Sequence, residues 1–367
     1  MLVFYSLWLG SYPVFTPDEG RYSEIAREMI ATGDYITPRV NGVAFLDKPV
    51  LYYWLQACAM QLFGVKEWAL RLFPMLSGIF GCLYVYACGR LLFNRRTALL
   101  AAIILGTTPL YFGAAHYANM DLEVATWITC TLLSFITAIE SSGQRRSILL
   151  FLAYCFAALA FLTKGLIGIA FPAMIAGSWI ALLWRWRLLT QIHLVKGLIL
   201  FTLLVTPWYV LVQRANPEFL HFFFVTQQVT RFLSKATFNN PTPVWFYLPV
   251  ILVGFVPWTC FLFQALTTQL RAVLQQRTEH TTELFLLLWF GIVLAFFSMP
   301  HSKMVGYILP VFAPLALLVG RYLSHSWSSH SRCNQMSTVI SFIIVSLFIA
   351  SGFGLTAYYR LFELPIG

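Results

Sequence analysis

Residues Gln144 to Arg187 read QRRSILLFLAYCFAALAFLTKGLIGIAFPAMIAGSWIALLWRWR. Two apolar runs, 147–163 and 166–184, each approach the roughly 20 apolar residues a helix needs to cross a bilayer. Lys164 sits in the turn between them, and the outer ends, Gln144-Arg145-Arg146 and Arg185-Trp186-Arg187, are basic. A hairpin of two membrane helices puts both basic ends on one side, and short Lys/Arg-rich loops mark the cytoplasmic side. Working outward, further apolar runs fall at about 2–15, 69–93, 97–114, 122–140, 196–213, 245–266, 283–299, 304–320 and 337–359, which predicts about eleven spans. Simple alternation brings the basic loops Asn94-Arg95-Arg96, Arg271 to Arg277 and Arg321 to Arg332 to the side of the first two. The expected fold is an all-α polytopic membrane bundle.

Composition agrees. Of 367 residues 59% are apolar and only 10% charged, against roughly a quarter charged in soluble domains. Mean hydropathy is +0.74. A net charge of +10 on so few charged residues cannot form a broad basic face, so a nucleic-acid partner is excluded and the excess reads as topology. Seven scattered cysteines, with no C-x-x-C and an odd total, suggest neither a disulfide framework nor a zinc site. The opening segment MLVFYSLWLGSYPVF lacks the basic start and small-residue cleavage site of a signal peptide.

Sorted by side, twelve cations and three acids fall inside, and twelve cations and eleven acids outside. Residues 16–68, the turn near Asp121, residues 214–244 and the turn near Lys303 are then outer, and the clustering of carboxylates there points to chemistry on that face. In the first outer loop, Thr16 as N-cap, Pro17 at the first helical position and Glu19 three residues after the cap make a capping box for a helix running to about Thr32, stopped by Gly33. Tyr22, Ile25 and Met29 share one face and Arg21, Glu24, Arg27 and Glu28 the other, so the helix is expected to lie along the membrane surface. Asp18 is either a first-turn acid stabilised by the helix dipole or a general base at the mouth of a cavity. Lys48, beside Asp47 and Pro49, is either a snorkelling interfacial lysine or a phosphate binder.

Similar pairs of readings hold further along. Asp121, in Asn119-Met120-Asp121-Leu122-Glu123, is a site acid facing a wet cavity, or else it or Asn119 caps a helix. Lys164, in Thr163-Lys164-Gly165, is a cation at an outer helix end, where a C-cap glycine with a dipole-compensating lysine is the alternative. In the third outer loop Phe224, Gln228, Arg231 and Lys235 share a face at helical spacing, which suits either a phosphate or anionic head groups. Lys303 and Tyr307 join from a fourth turn, Ser302 to Pro310, while His221 and His301 carry no metal motif.

Taken together, Asp18-Glu19-Gly20-Arg21-Tyr22, Lys48-Pro49 through Tyr53-Trp54, Met120-Asp121, Thr163-Lys164-Gly165, Arg231-Phe232 and Tyr307-Ile308-Leu309-Pro310 resemble the bacterial aminoarabinose (lipid A) transferases and the wider protein mannosyltransferase-like superfamily, in order over almost the whole chain. What that resemblance implies is a GT-C type membrane glycosyltransferase of the bacterial inner membrane, taking a sugar from a polyprenyl (undecaprenyl) phosphate donor at the periplasmic face. The acceptor would be lipid A, another envelope glycan or a protein. It implies a catalytic role for Asp18 and a place at the site for Asp121, with Lys48 and Arg231 on the donor phosphate and Tyr307 nearby. The expected catalytic set is Asp18, Asp121 and Glu19, and the phosphate-binding set Lys48, Arg231, Tyr307, Lys303 and Lys164.

Four departures accompany the match. Asp47 replaces the family's Glu before Lys-Pro, and Gln227-Gln228 replace its Glu-His, so no divalent metal is firmly expected and Asp47 is the remaining candidate ligand. Leu122 replaces a proline, and the chain, expected to be one membrane domain over 1–367, stops near the membrane where the family carries a C-terminal periplasmic domain. A flippase or transporter, with ionisable residues at mid-membrane and inverted repeats, fits less well because the acids collect at the outer rim.

Overall fold

The computed structural model describes residues 1–230 and 242–326, with backbone alone for 227–230. The described helices are α1 (Leu2–Ser6), α2 (Asp18–Thr32), α3 (Leu51–Phe63), α4 (Glu67–Leu70), α5 (Leu72–Leu92), α6 (Arg95–Thr107), α7 (Pro109–Ala115), α8 (Met120–Ile139), α9 (Gly143–Lys164), α10 (Ile167–Leu182), α11 (Leu188–Gln191), α12 (Leu194–Ala215), α13 (Tyr247–Gly254), α14 (Thr259–Gln275), α15 (Thr281–Ser298) and α16 (Phe312–Ser326). A 3-10 segment, Val305–Val311, leads into α16. One two-residue hairpin, Arg39–Val40 with Val43–Ala44, is the sole described exception to the all-α expectation; Asn41 and Gly42, both at positive φ, make its turn.

Six helices among the described residues are long and apolar enough to cross a membrane, or eight if each of two bent pairs is one span, where about eleven were predicted. Three physical reasons account for the difference. The run 2–15 is helical only over Leu2–Ser6. The runs 97–114 and 245–266 are broken, by 65° between α6 and α7 and by 115° between Val244–Gly254 and α14. The breaks fall beside Pro109 and Pro257, which cannot continue the i→i−4 ladder. Run 166–184 gives the 16-residue α10, about 24 Å at 1.5 Å per residue and so shorter than a full crossing. The predicted run 337–359 lies outside the described residues.

Helix α8 is the axis of the bundle, packed against α5, α9, α10 and the 3-10 segment. Its buried Ala125, Thr126, Thr129, Thr131 and Ser134 are small enough for neighbouring backbones to approach closely. At the periphery α12 turns Leu198, Ile199, Leu203 and Leu211 outward, the surface a lipid-facing helix needs. One end of the bundle carries the heads of α5 and α8 and the tail of α9. The opposite end carries Glu140, Ser147 bonded to His193, Arg146 bonded to Gln191, and Arg321 paired with Glu283, so the basic loops described here collect together as the alternation required.

The helix predicted in the first outer loop forms over the expected range and stops at Gly33 (φ 72°), whose N–H donates to Met29 O. Its start differs: Pro17 occupies the cap, Thr16 makes no side-chain cap bond, and Glu19 turns inward. Glu28, assigned to the polar face, is buried and accepts the Gly42 N–H at 3.1 Å, tying helix to hairpin. In the third outer loop, His221–Thr230 is a π-helix. Of the face predicted for Phe224, Gln228, Arg231 and Lys235, only the Phe224 side chain is among those described. Arg231 and Lys235 lie outside the described residues.

Candidate active site

Where the head of α8 meets the tail of α9, Asn119 caps α8, its side-chain oxygen accepting the Asp121 N–H at 3.0 Å. That leaves the Asp121 carboxylate for a tertiary contact, an ion pair with Lys164 in which both side chains are about nine-tenths buried. Gly165 stops α9 at φ 82° and donates to Phe161 O, so the glycine caps the helix while the lysine beside it faces inward. The Lys164 ammonium lies 4.2 Å from the centroid of the Tyr307 ring, a cation–π contact. Next to Tyr307, Gly306 has no room for a side chain, because a Cβ there would overlap the Asp121 carboxylate. Gly306→Ala is therefore expected to cost about 1–3 kcal/mol, as overpacking does, and to push the carboxylate off Lys164; a melting curve in detergent, compared with that of Asp121→Asn, checks both.

Asp18 opens α2, one-fifth exposed and 3.9 Å from the Arg21 guanidinium. Its charge and that of Asp121 reach the same two phenols. Burial, followed by the charges of Asp121 and Asp18, pushes the Tyr22 phenol well above its ordinary value, with Arg21 partly offsetting. The Tyr117 phenol rises to about 12, again through burial first and then Asp18, Glu19 and Asp121. Both hydroxyls thus remain protonated at neutral pH, within reach of the charges of Asp18 and Asp121.

Glu19, expected among the catalytic acids, is fully buried and locked to the equally buried Arg71. It is not open to substrate. The Lys303 ammonium donates to Pro300 O at 2.7 Å and Thr242 O at 3.1 Å, and burial lowers its pKa. Lys48 lies on the half-buried stretch that leads into α3, which packs on α2 and α9. The side chains of Gln227 and Gln228 are outside the described set, as is Arg231. No three His, Cys, Asp or Glu side chains converge among the described residues; the Tyr53 phenol is raised by burial first, then by Tyr22 and by the charge of Asp47.

Two residues escaped the sequence reading. Arg71 interrupts the predicted span 69–93, and a charge inside an apolar run was the available signal. Glu123 is fully buried, with Trp127 Nε1 3.4 Å from Oε1 and Oε2 unpartnered among the described residues. It is two residues from Asp121, so it faces a different side of α8.

Residues 47–211 match the family model described as dolichyl-phosphate-mannose-protein mannosyltransferase. The chain is 31% identical over 358 residues to the undecaprenyl phosphate-alpha-4-amino-4-deoxy-L-arabinose arabinosyl transferase of Erwinia tasmaniensis, covering 94% of this chain and 62% of that protein. With its counterpart from Aeromonas hydrophila it shares 35% over 323 residues, 87% of this chain and 57% of that one. The chain thus spans about three-fifths of the length of these curated relatives. ArnT from Cupriavidus metallidurans bound to undecaprenyl phosphate superposes with a TM-score of 0.84 at 30% identity, over 100% of this chain and 64% of that chain. The oligosaccharyltransferase of Archaeoglobus fulgidus, at TM-score 0.61 and 14% identity over 93% of this chain and 53% of that one, shares the fold alone. A helical membrane bundle with acids and cations gathered at one end is the architecture of the GT-C class. Within that class the chain is similar, over most of its own length, to the aminoarabinose transferases.

Proposed function

We propose that this protein transfers a sugar from a polyprenyl phosphate, undecaprenyl phosphate in particular, to an acceptor such as lipid A at the periplasmic face of the inner membrane. The observation that carries this reading is the buried pairing of Asp121 with Lys164 over Tyr307 at the bundle end opposite the basic loops, with the charges of Asp18 and Asp121 both reaching Tyr22 and Tyr117. In the proposed step the acceptor oxygen bonds to the anomeric carbon from the face opposite the phosphate. The carbon–oxygen bond to phosphate breaks and its electron pair leaves with the polyprenyl phosphate, giving inversion. Asp18 takes the acceptor hydroxyl's proton, or only orients the acceptor if that acceptor is itself a phosphate. Lys48 and Arg231 stabilise the charge growing on the leaving phosphate, and Lys164, held between Asp121 and Tyr307, adds to them.

Purified protein in lipid nanodiscs, given undecaprenyl-phosphate-linked aminoarabinose and lipid A, is expected to form modified lipid A detectable by mass spectrometry. No product from any polyprenyl-phosphate sugar with lipid, glycan or protein acceptors would sink the proposal. The match to the protein mannosyltransferase model supports a second reading, a protein acceptor, which intact-mass analysis of envelope proteins with and without the gene separates from the first. Lys48→Met should raise the donor KM about ten- to a hundredfold, the range set by losing one charge-assisted phosphate bond, with kcat far less affected; an unchanged KM removes Lys48 from the phosphate site.

A further inference from the structure

One carboxylate joins the two segments that carry Asp18 and Asp121. Glu19 Oε1 accepts Arg71 Nε at 2.9 Å and the Ala118 N–H at 2.6 Å, and Oε2 accepts Arg71 Nη2 at 2.8 Å and the Phe15 N–H at 2.8 Å. A carboxylate has about four acceptor sites, and all four are taken. Arg71 is closed in the same way. Beyond its two bonds to Glu19, Nη1 donates to Leu9 O at 3.2 Å and Tyr12 O at 3.0 Å, and Nη2 to Pro13 O at 3.1 Å, which uses all five guanidinium donors. Both side chains are fully buried, and the Tyr12 ring lies 3.7 Å from the guanidinium. A group with no lone pair to spare cannot take a proton from substrate without breaking this network.

Phe15 lies three residues before Asp18, and Ala118 three before Asp121. We propose that Glu19 is a positioning residue: through the Phe15 and Ala118 N–H groups it fixes the head of α2 against the turn that begins α8, and so sets the placement of Asp18 relative to Asp121. This rests on the proposed function for what the two acids do, but the coupling of the two segments stands on the hydrogen bonds alone. An amide at position 19 presents a donor where a backbone N–H now donates, and leaves the Arg71 charge buried without its partner.

Two measurements on the full-length protein in nanodiscs test it. By hydrogen exchange, peptides containing Phe15 and Ala118 should lose protection together in Glu19→Gln, exchanging about tenfold faster as one hydrogen bond is lost at each, while Asp18→Asn leaves both protected. In the transfer assay, Glu19→Gln should lower kcat about 10- to 100-fold, the effect of a displaced reacting group. Binding of undecaprenyl phosphate and the acid limb of the pH profile should be preserved. Unchanged protection of either peptide overturns the coupling, and loss of the acid limb makes Glu19 the base instead. If Glu19→Gln does not fold, Arg71→Lys keeps the buried charge but loses the fork; the same paired loss of protection, smaller in size, is expected, and its absence overturns the proposal. A wild-type protein that transfers no sugar refutes the functional reading, whereas the exchange result still decides the coupling.

Discussion

Asp18→Asn is expected to lower sugar transfer about 10²- to 10⁴-fold, the usual contribution of a general base, while undecaprenyl phosphate binds nearly as before. The amide keeps the size of the carboxylate and its place at the head of α2, but cannot hold the acceptor's proton. Because Asp18 is one-fifth exposed and lies 3.9 Å from the partly exposed Arg21, little stability should be lost with that pair. The predicted signature is therefore a fall in kcat, a preserved melting temperature and a missing acid limb in the pH profile. Undiminished transfer by Asp18→Asn would show that the acid merely favours the helix dipole.

The second large effect concerns the buried pair at the end of the bundle. Asp121→Asn strands the Lys164 ammonium, nine-tenths buried and packed on Tyr307, and breaking a buried pair from one side costs about 3–5 kcal/mol. Lys164→Met strands the carboxylate instead and should cost a similar amount. The double variant Asp121→Asn/Lys164→Met leaves no uncompensated charge, so most of the lost stability should return while transfer stays absent. A thermal-unfolding double-mutant cycle reads the coupling directly. If the two single losses simply add in the double variant, the pair does not interact. If the double variant regains transfer, the pair is architecture alone.

Much of the architecture was legible along the chain. Span positions, the gathering of basic loops at one end and the reach of α2 to Gly33 follow from hydropathy, loop charge and a glycine stop, all of them local signals. The count of spans was less secure, because a run of apolar residues looks continuous through Pro109 and Pro257 although the helix there is not. Asp18 and Asp121 stood out as acids at the edge of hydrocarbon, yet a helix-dipole reading of the first and a capping reading of the second were alternatives that spacing could not decide.

Tertiary structure decided the capping question at Asp121. Asn119 takes the cap, so Asp121 is released to Lys164, 43 residues away. Glu19, which spacing assigned to a capping box, meets Arg71 across 52 residues and closes a network in which no acceptor is left for substrate. By itself, then, the sequence determined a membrane bundle, its sidedness and an acid-rich outer face, because periodicity and loop charge report on each segment's own contact with lipid and water. Which acid reaches which cation was settled only when the helices packed, since a buried charge must find a partner and the partners lie on segments that the chain order keeps apart.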